Sequence, residues 1–265
     1  MNWFWNLFKK KTVEEPVKPI TKPILKPINT DKKIEYVSYG CELPPAQVIG
    51  ELKRKYPDYY KDLFVILDNG HGENTPGKRS PDGRLREYSW ARIVVNMIAD
   101  SLEEMGIPFS ILVPESEDIP LSERVKRANA IHNEQHKNGK LVILLSIHCN
   151  AAGNGEWKSA RGWSAWTSKG VTESDIVANC LYEAAHEVLD PKCMKVREDC
   201  SDGDSDWESN FYIIYKSSMP AVLTENFFQD NREDVEYLLS EEGKKDCVDI
   251  HIKGIQKYIE LKLKK

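Results

Sequence analysis

The chain lacks any long hydrophobic run. Among its 265 residues no purely apolar stretch outlasts Leu141–Leu145, far short of the roughly 20 residues that carry a helix across a bilayer. A C-x-x-C pair is also missing. The six cysteines, Cys41, Cys149, Cys180, Cys193, Cys200 and Cys247, are scattered, which argues against a structural zinc knuckle and reads as the reduced thiols of a cytosolic product. Nor is there a basic excess: 37 Lys and Arg against 42 Asp and Glu give a net charge of −5, so no nucleic-acid partner is expected. The apolar stretch Trp3–Phe8 precedes the basic run Lys9-Lys10-Lys11, the reverse of a secretory signal. Synthesis in the cytoplasm without a signal peptide is therefore expected. Internal repeats are absent.

What is present falls into three segments. Residues 1–34 form a Lys/Pro-rich tail, with Lys-Pro at Lys18-Pro19, Lys22-Pro23 and Lys26-Pro27. Proline at that density disfavours helix and sheet and leaves an extended spacer. Residues 1–11 read as part of a disordered tail, with weak membrane-surface contact through Trp3, Phe4, Trp5 and the lysines as the alternative. Residues 35–62 form a short preamble with a helix from Pro45 to about Tyr56. Residues 63–262 have a globular pattern, and 40% of the whole chain is apolar, enough for a buried core.

Within this last segment the periodicity alternates between strand and helix. Strands are expected at Leu63–Leu67, Phe109–Val113, Leu141–Ile147, Gly162–Thr167, Phe211–Tyr215 and Ala221–Thr224. Helices are expected at Glu87–Met105 (stopped by Gly106), Ser122–Lys137 and Thr172–Leu189, the last opened by a capping box of Thr172 with Asp175. Two more, near 231–239 and 241–262, close the chain. The pattern predicts a single α/β domain: a central, mostly parallel, twisted sheet with helices on both faces.

Sites in open α/β sheets gather at the carboxyl ends of strands. Three expected strands run into polar residues there: Leu63–Leu67 into Asp68-Asn69-Gly70-His71-Gly72, Leu141–Ile147 into His148-Cys149-Asn150, and Ala221–Thr224 into Glu225-Asn226. Each histidine alone could be an ordinary loop or core residue. Gly70 and Gly72 point to close backbone approach around His71. Glu87 opens the next helix and could lie beside His71, but acidic residues are common in a first helical turn. Two imidazoles and a carboxylate suit a catalytic zinc ion, and a separate carboxylate, here Glu225, suits the proton transfers of amide hydrolysis.

Two other patterns carry less. His132-Asn133-Glu134-Gln135-His136 is not a zincin motif, because Glu does not follow the first His; it reads as a solvated helix face. Asp202-Gly203-Asp204-Ser205-Asp206 lacks the glycine and glutamate of a calcium loop and reads as an exposed loop.

From about Leu63 to Ile259 the chain resembles the zinc N-acetylmuramoyl-L-alanine amidases of the amidase-3 type, including endolysins. The resemblance rests on Leu67-Asp68-Asn69-Gly70-His71-Gly72, Arg86-Glu87-Tyr88, Ser146-Ile147-His148-Cys149-Asn150-Ala151, Ala160-Arg161-Gly162 and Pro220-Ala221-Val222-Leu223-Thr224-Glu225-Asn226-Phe227-Phe228. It implies zinc held by His71, Glu87 and His148, with Glu225 as the catalytic acid and base. It also implies a monomer that acts at the cell wall after release, with peptidoglycan as substrate and Asn150 helping to position it. The family usually has Pro at Asn69, Ala at Cys149 and often Gly near Phe227, so pocket shape is expected to differ. Residues 151–161 leave no room for the helical plug of some members, which implies an open site. A zinc peptidase or deacetylase, or a wall-binding module without catalysis, would share much of this pattern.

Overall fold

The computed structural model describes residues 57–264. The expected tail, the helix from Pro45 and the membrane-contact segment lie outside them. Six strands form one sheet: β1 (Leu63–Asn69), β2 (Phe109–Ile111), β3 (Leu141–Asn150), β4 (Ser164–Thr167), β5 (Trp207–Glu208) and β6 (Ala221–Phe228). Their order is β2-β1-β3-β6-β4-β5. The pairs β1–β2, β1–β3, β3–β6 and β4–β5 are parallel, and β4 runs antiparallel to β6. The helices are α1 (Glu87–Met105), α2 (Leu121–Lys137), α3 (Glu173–Leu189), α4 (Tyr212–Tyr215), α5 (Arg232–Leu239) and α6 (Glu241–Leu263). No helix among the described residues is long and apolar enough to cross a membrane.

The two-residue period of a strand divides the core in two. Leu63, Val65 and Leu67 of β1, with Ile143, Leu145 and Ile147 of β3, pack with residues of α1, α3 and α6 on one face. Phe64, Ile66, Val142, Leu144, Ala221 and Leu223 pack on the other with Val125 and Ala128 of α2 and with Ile213 and Ile214 of α4. Burial on both faces explains the unbroken apolar runs.

Helix ends follow their local chemistry. Gly106 terminates α1 at φ 72°, a left-handed conformation that costs glycine little. At α3 the capping box forms: Thr172 Oγ1 accepts from the Ser174 N–H at 3.1 Å, and Asp175 Oδ2 accepts from the Thr172 N–H at 2.6 Å.

Two expectations need correction. Phe211–Tyr215 is not a strand; Tyr212–Tyr215 is one helical turn, with Ile213 and Ile214 both buried against α2 and Met219. Two adjacent residues packing together on one core do not suit an alternating strand, so tertiary packing overrides β propensity here. Strands β1, β3 and β6 also run further than expected, to Asn69, Asn150 and Phe228. His148 and Glu225 therefore stand within paired strands, because each continues the ladder with the other.

Candidate metal centre

Strand register places the site. In β1 the face bearing Phe64 and Ile66 continues to Asp68; in β3, Val142 and Leu144 continue to Ser146 and His148; in β6, Ala221 and Leu223 continue to Glu225. Asp68 is in register with Ser146, and His148 with Glu225. One face is thus apolar toward the amino ends of the strands and polar toward their carboxyl ends. His71 follows β1, and the first turn of α1 brings in Glu87.

His71, Glu87 and His148 meet: one ligand atom from each lies within 4.8 Å of the others, a set able to hold a metal ion. Glu87 Oε1 is 3.1 Å from His148 Nδ1 and 3.4 Å from His71 Nε2. The two imidazoles stand perpendicular, with centroids 4.9 Å apart. Such mixed N and O donors, with an open side, fit zinc. Glu87 is buried, and its carboxylate accepts from the Cys149 N–H (3.1 Å) and the Gln229 amide (3.1 Å). Cys149 itself belongs to the core on the opposite sheet face.

Each imidazole is held from behind. His148 Nε2 lies 3.1 Å from Ser146 Oγ, whose hydroxyl donates to Asp68 Oδ2 at 2.6 Å. Arg124 donates to Asp68 Oδ1 at 2.7 Å and to the carbonyls of Asn69 (2.8 Å) and His71 (3.1 Å). Arg92 also donates to the His71 carbonyl, at 3.2 Å. Those bonds hold His71 at φ 60°, a left-handed backbone uncommon outside glycine and often found at functional sites. Gly70 is required here, since a Cβ would clash with the His148 ring. At Gly72 it would collide with the Asp118 backbone.

The charges respond to this packing. Burial would raise the Glu87 carboxyl, but bonds from His148 and His71 outweigh it and hold it below the usual carboxylate range. Burial lowers His71. Burial also acts to lower His148, but the hydrogen bond and charge of Glu87 prevail and raise it. Glu225 has no hydrogen-bond partner at its buried Oε2. Burial, reinforced by the negative charge of Glu87, pushes it up to about 7, the range in which a carboxyl group can both take and give a proton near neutrality.

Other candidates fall elsewhere. Asn150 ends β3, with its side-chain oxygen bound to the Ala151 N–H at 2.8 Å. His132 and His136 stack at 5.4 Å on α2, away from the cluster. Asp206 departs from the exposed-loop expectation: it is buried, and the Thr167 hydroxyl donates to it at 2.6 Å. Phe227 is a matter of core and backbone. It is fully buried, its ring lies 5.1 Å from that of Tyr237, and its φ is 61°. It sits where the register with β3 shifts between His148 and Asn150, so β6 bulges there. Sequence reasoning missed Gln229, Ser146, Asp68 and Arg124. The i, i+2 spacing of Ser146 and His148 on one strand face could have exposed Ser146, whereas nothing local marks Gln229.

Known proteins resemble this chain in sequence and fold. The chain is 25% identical over 232 residues to N-acetylmuramoyl-L-alanine amidase AmiC of Neisseria meningitidis, covering 74% of this chain and 52% of that one. It therefore spans about half of that relative. It is 24% identical over 206 residues to the endolysin of Bacillus phage SPP1, covering 76% and 68%. The fold superposes on a crystal structure of an N-acetylmuramoyl-L-alanine amidase from Clostridium difficile 630 with a TM-score of 0.65 at 22% identity, covering 76% of this chain and 99% of that one. Residues 65–257 match Amidase_3, described as N-acetylmuramoyl-L-alanine amidase, and with that match spanning most of its length the chain belongs to the amidase-3 family.

Proposed function

We propose that the chain is a zinc-dependent N-acetylmuramoyl-L-alanine amidase, which hydrolyses the amide between N-acetylmuramic acid and L-alanine in peptidoglycan. The observation that carries this reading is the convergence of His71, Glu87 and His148 beside Glu225 at one end of an amidase-3 sheet. Zinc held by His71, Glu87 and His148 would supply Lewis-acid polarisation of the carbonyl and acidify a water. The remaining chemistry belongs to the protein. Glu225 takes the proton from the attacking water and delivers it to the departing amine. Gln229 and the Cys149 N–H fix the Glu87 carboxylate, while Ser146 and Asp68 fix the His148 ring. Asn150 stands at the rim as a substrate contact.

The likeness to a phage endolysin supports a lytic setting; in this reading the enzyme reaches the wall after release and works as a monomer. Digestion of purified peptidoglycan, followed by mass spectrometry, tests the reading. Free stem peptides with a new L-alanine amino terminus, lost on chelation and regained with zinc, are expected. Reducing sugar ends would reveal a glycosidase, cleavage within the stem a peptidase, and binding without products a wall-binding module.

A further inference from the structure

Several cations around the sheet's carboxyl end are paired with carboxylates, while Arg92 is held by backbone carbonyls. Arg124 meets Asp68 and Asp118, Arg127 meets Glu115, and Arg84 meets Asp82 and Glu236. Lys78 is different. It is half-buried, yet among the described residues no carboxylate lies within ion-pair distance of its ammonium, and its neighbour Arg79 is equally unpaired. Both residues are anchored by their backbone. The Lys78 carbonyl accepts from the Glu87 N–H at 3.0 Å, and Arg79 bridges to Arg86. The Lys78 backbone is therefore tied to the same helical turn that presents Glu87.

The surroundings are those of a binding cleft. Lys78 and Arg79 line a cavity of about 500 Å³ whose other wall includes Ala151, Gly153 and Gln229. Gln229 is the residue whose amide holds Glu87 Oε2, so the cleft shares a wall residue with the support of the metal centre. The charge of Lys78 acts on both His71 and Glu225. An ammonium without a counter-charge in a cleft is free to make a charge-assisted hydrogen bond to an anionic ligand.

The substrate chemistry selects which anion. In the scissile amide the lactyl carboxyl of muramic acid is already consumed, which leaves the glycan side without it. The stem peptide beyond L-alanine does carry free carboxylates. One further residue extends the chain by only about 3.5 Å, within the span of this cleft.

We propose that Lys78 binds a carboxylate on the stem residue that follows L-alanine, so that this cleft holds the departing peptide and favours stems whose carboxyl is free over those in which it is amidated. The proposal rests on the amidase reading above. It follows that the glycan lies on the other side of the zinc ligands, and that Lys78 acts in binding rather than in bond cleavage.

Two muramoyl-tripeptide fragments test this, one with the α-carboxyl of the second stem residue free and one with it amidated. The zinc-loaded wild type is expected to show a kcat/KM about tenfold higher on the free acid, carried by KM. Lys78→Met, matched to wild type in zinc content and thermal stability, is expected to lose about tenfold on the free acid through KM and to bring the acid-to-amide ratio close to one. Lys78→Arg should restore part of the preference. In calorimetry, the free-acid stem tripeptide should bind Lys78→Met about tenfold more weakly than wild type. A preference that survives in Lys78→Met, or a fall in kcat that is equal on both fragments, overturns the carboxylate site. Wild type that cleaves both fragments alike also overturns it and leaves the amidase reading standing. Cleavage of neither overturns the amidase reading, and the proposal with it.

Discussion

Thr224 and Glu225 are adjacent in β6 and point to opposite faces of the sheet, and their surroundings show how burial serves two ends. Thr224 Oγ1 lies 2.9 Å from His251 Nε2, while His251 Nδ1 lies 2.6 Å from the Cys247 carbonyl. Every polar atom of that imidazole has a neutral partner. No carboxylate compensates its burial, and its pKa falls to about 4. One residue along, Glu225 feels the charges of His148 and Glu87, with a buried oxygen left unpaired. The first face is satisfied and inert. The second is left unsatisfied beside the set of metal-binding side chains. A buried histidine is therefore no sign of a site by itself; its partners decide.

The largest effect should come from the unsatisfied side. Glu225→Gln is expected to lower kcat by about 10³-fold, within the range of general acid–base contributions, while zinc content measured by atomic absorption stays at the wild-type level. Turnover within a few-fold of wild type would remove Glu225 from the mechanism.

Phe227 measures what the bulge between these residues requires. Phe227→Gly would relieve a left-handed backbone costing about 1–2 kcal/mol, but it deletes a core aromatic worth about 3–5 kcal/mol. The packing loss wins, so urea denaturation should show a net destabilisation of about 3 kcal/mol. A more stable variant would mean that strain dominates.

On the satisfied side, protonation is the lever. The His251 imidazole titrates at about 4 in the fold, against about 6.5 in an unfolded chain. The unfolded state therefore takes up the proton first. The stability is fully present above pH 6.5 and is lost as pH falls toward 4, by up to about 3 kcal/mol. His251→Gln should lack this component, seen as a shallower decline in denaturation free energy between pH 7 and 4. Parallel curves for the two proteins would refute it.

The smallest effect should come from Gly70→Ala. The new methyl would displace the His148 ring, and zinc affinity should weaken by about 10–100-fold, the usual consequence of disturbing a ligand's support. Competition with a chromogenic chelator reads this out; unchanged affinity would show that the ring moves without cost.

The alternating pattern settled much of the fold in advance. Buried strands and amphipathic helices carry period and length, and α1 from Glu87 to Met105 with its stop at Gly106 was written in residue types alone. Three strands were read short, because Asp68, His148 and Glu225 are polar and hydropathy treats polar residues as an exit. The ladder continues through them since backbone pairing is indifferent to side-chain polarity. Glu87 was visible only through the family motif, because one first-turn acid looks like any other.

Taken alone, the sequence determined the kind of protein: period-2 and period-3.6 hydrophobicity specify an α/β fold, and His71, His148 and Glu225 near strand ends mark the candidate site. Tertiary structure decided the rest. Parallel pairing of β3 with β6 brings His148 level with Glu225, and α1 carries Glu87 against His148, 61 positions away in sequence. Gln229 reaches Glu87 across a separation of 142. Lys78 gains its interest from the cleft it lines with Gln229 and Ala151, residues distant from it in sequence. Contacts of this range depend on which elements pack together, and local hydrophobic period carries no record of that choice.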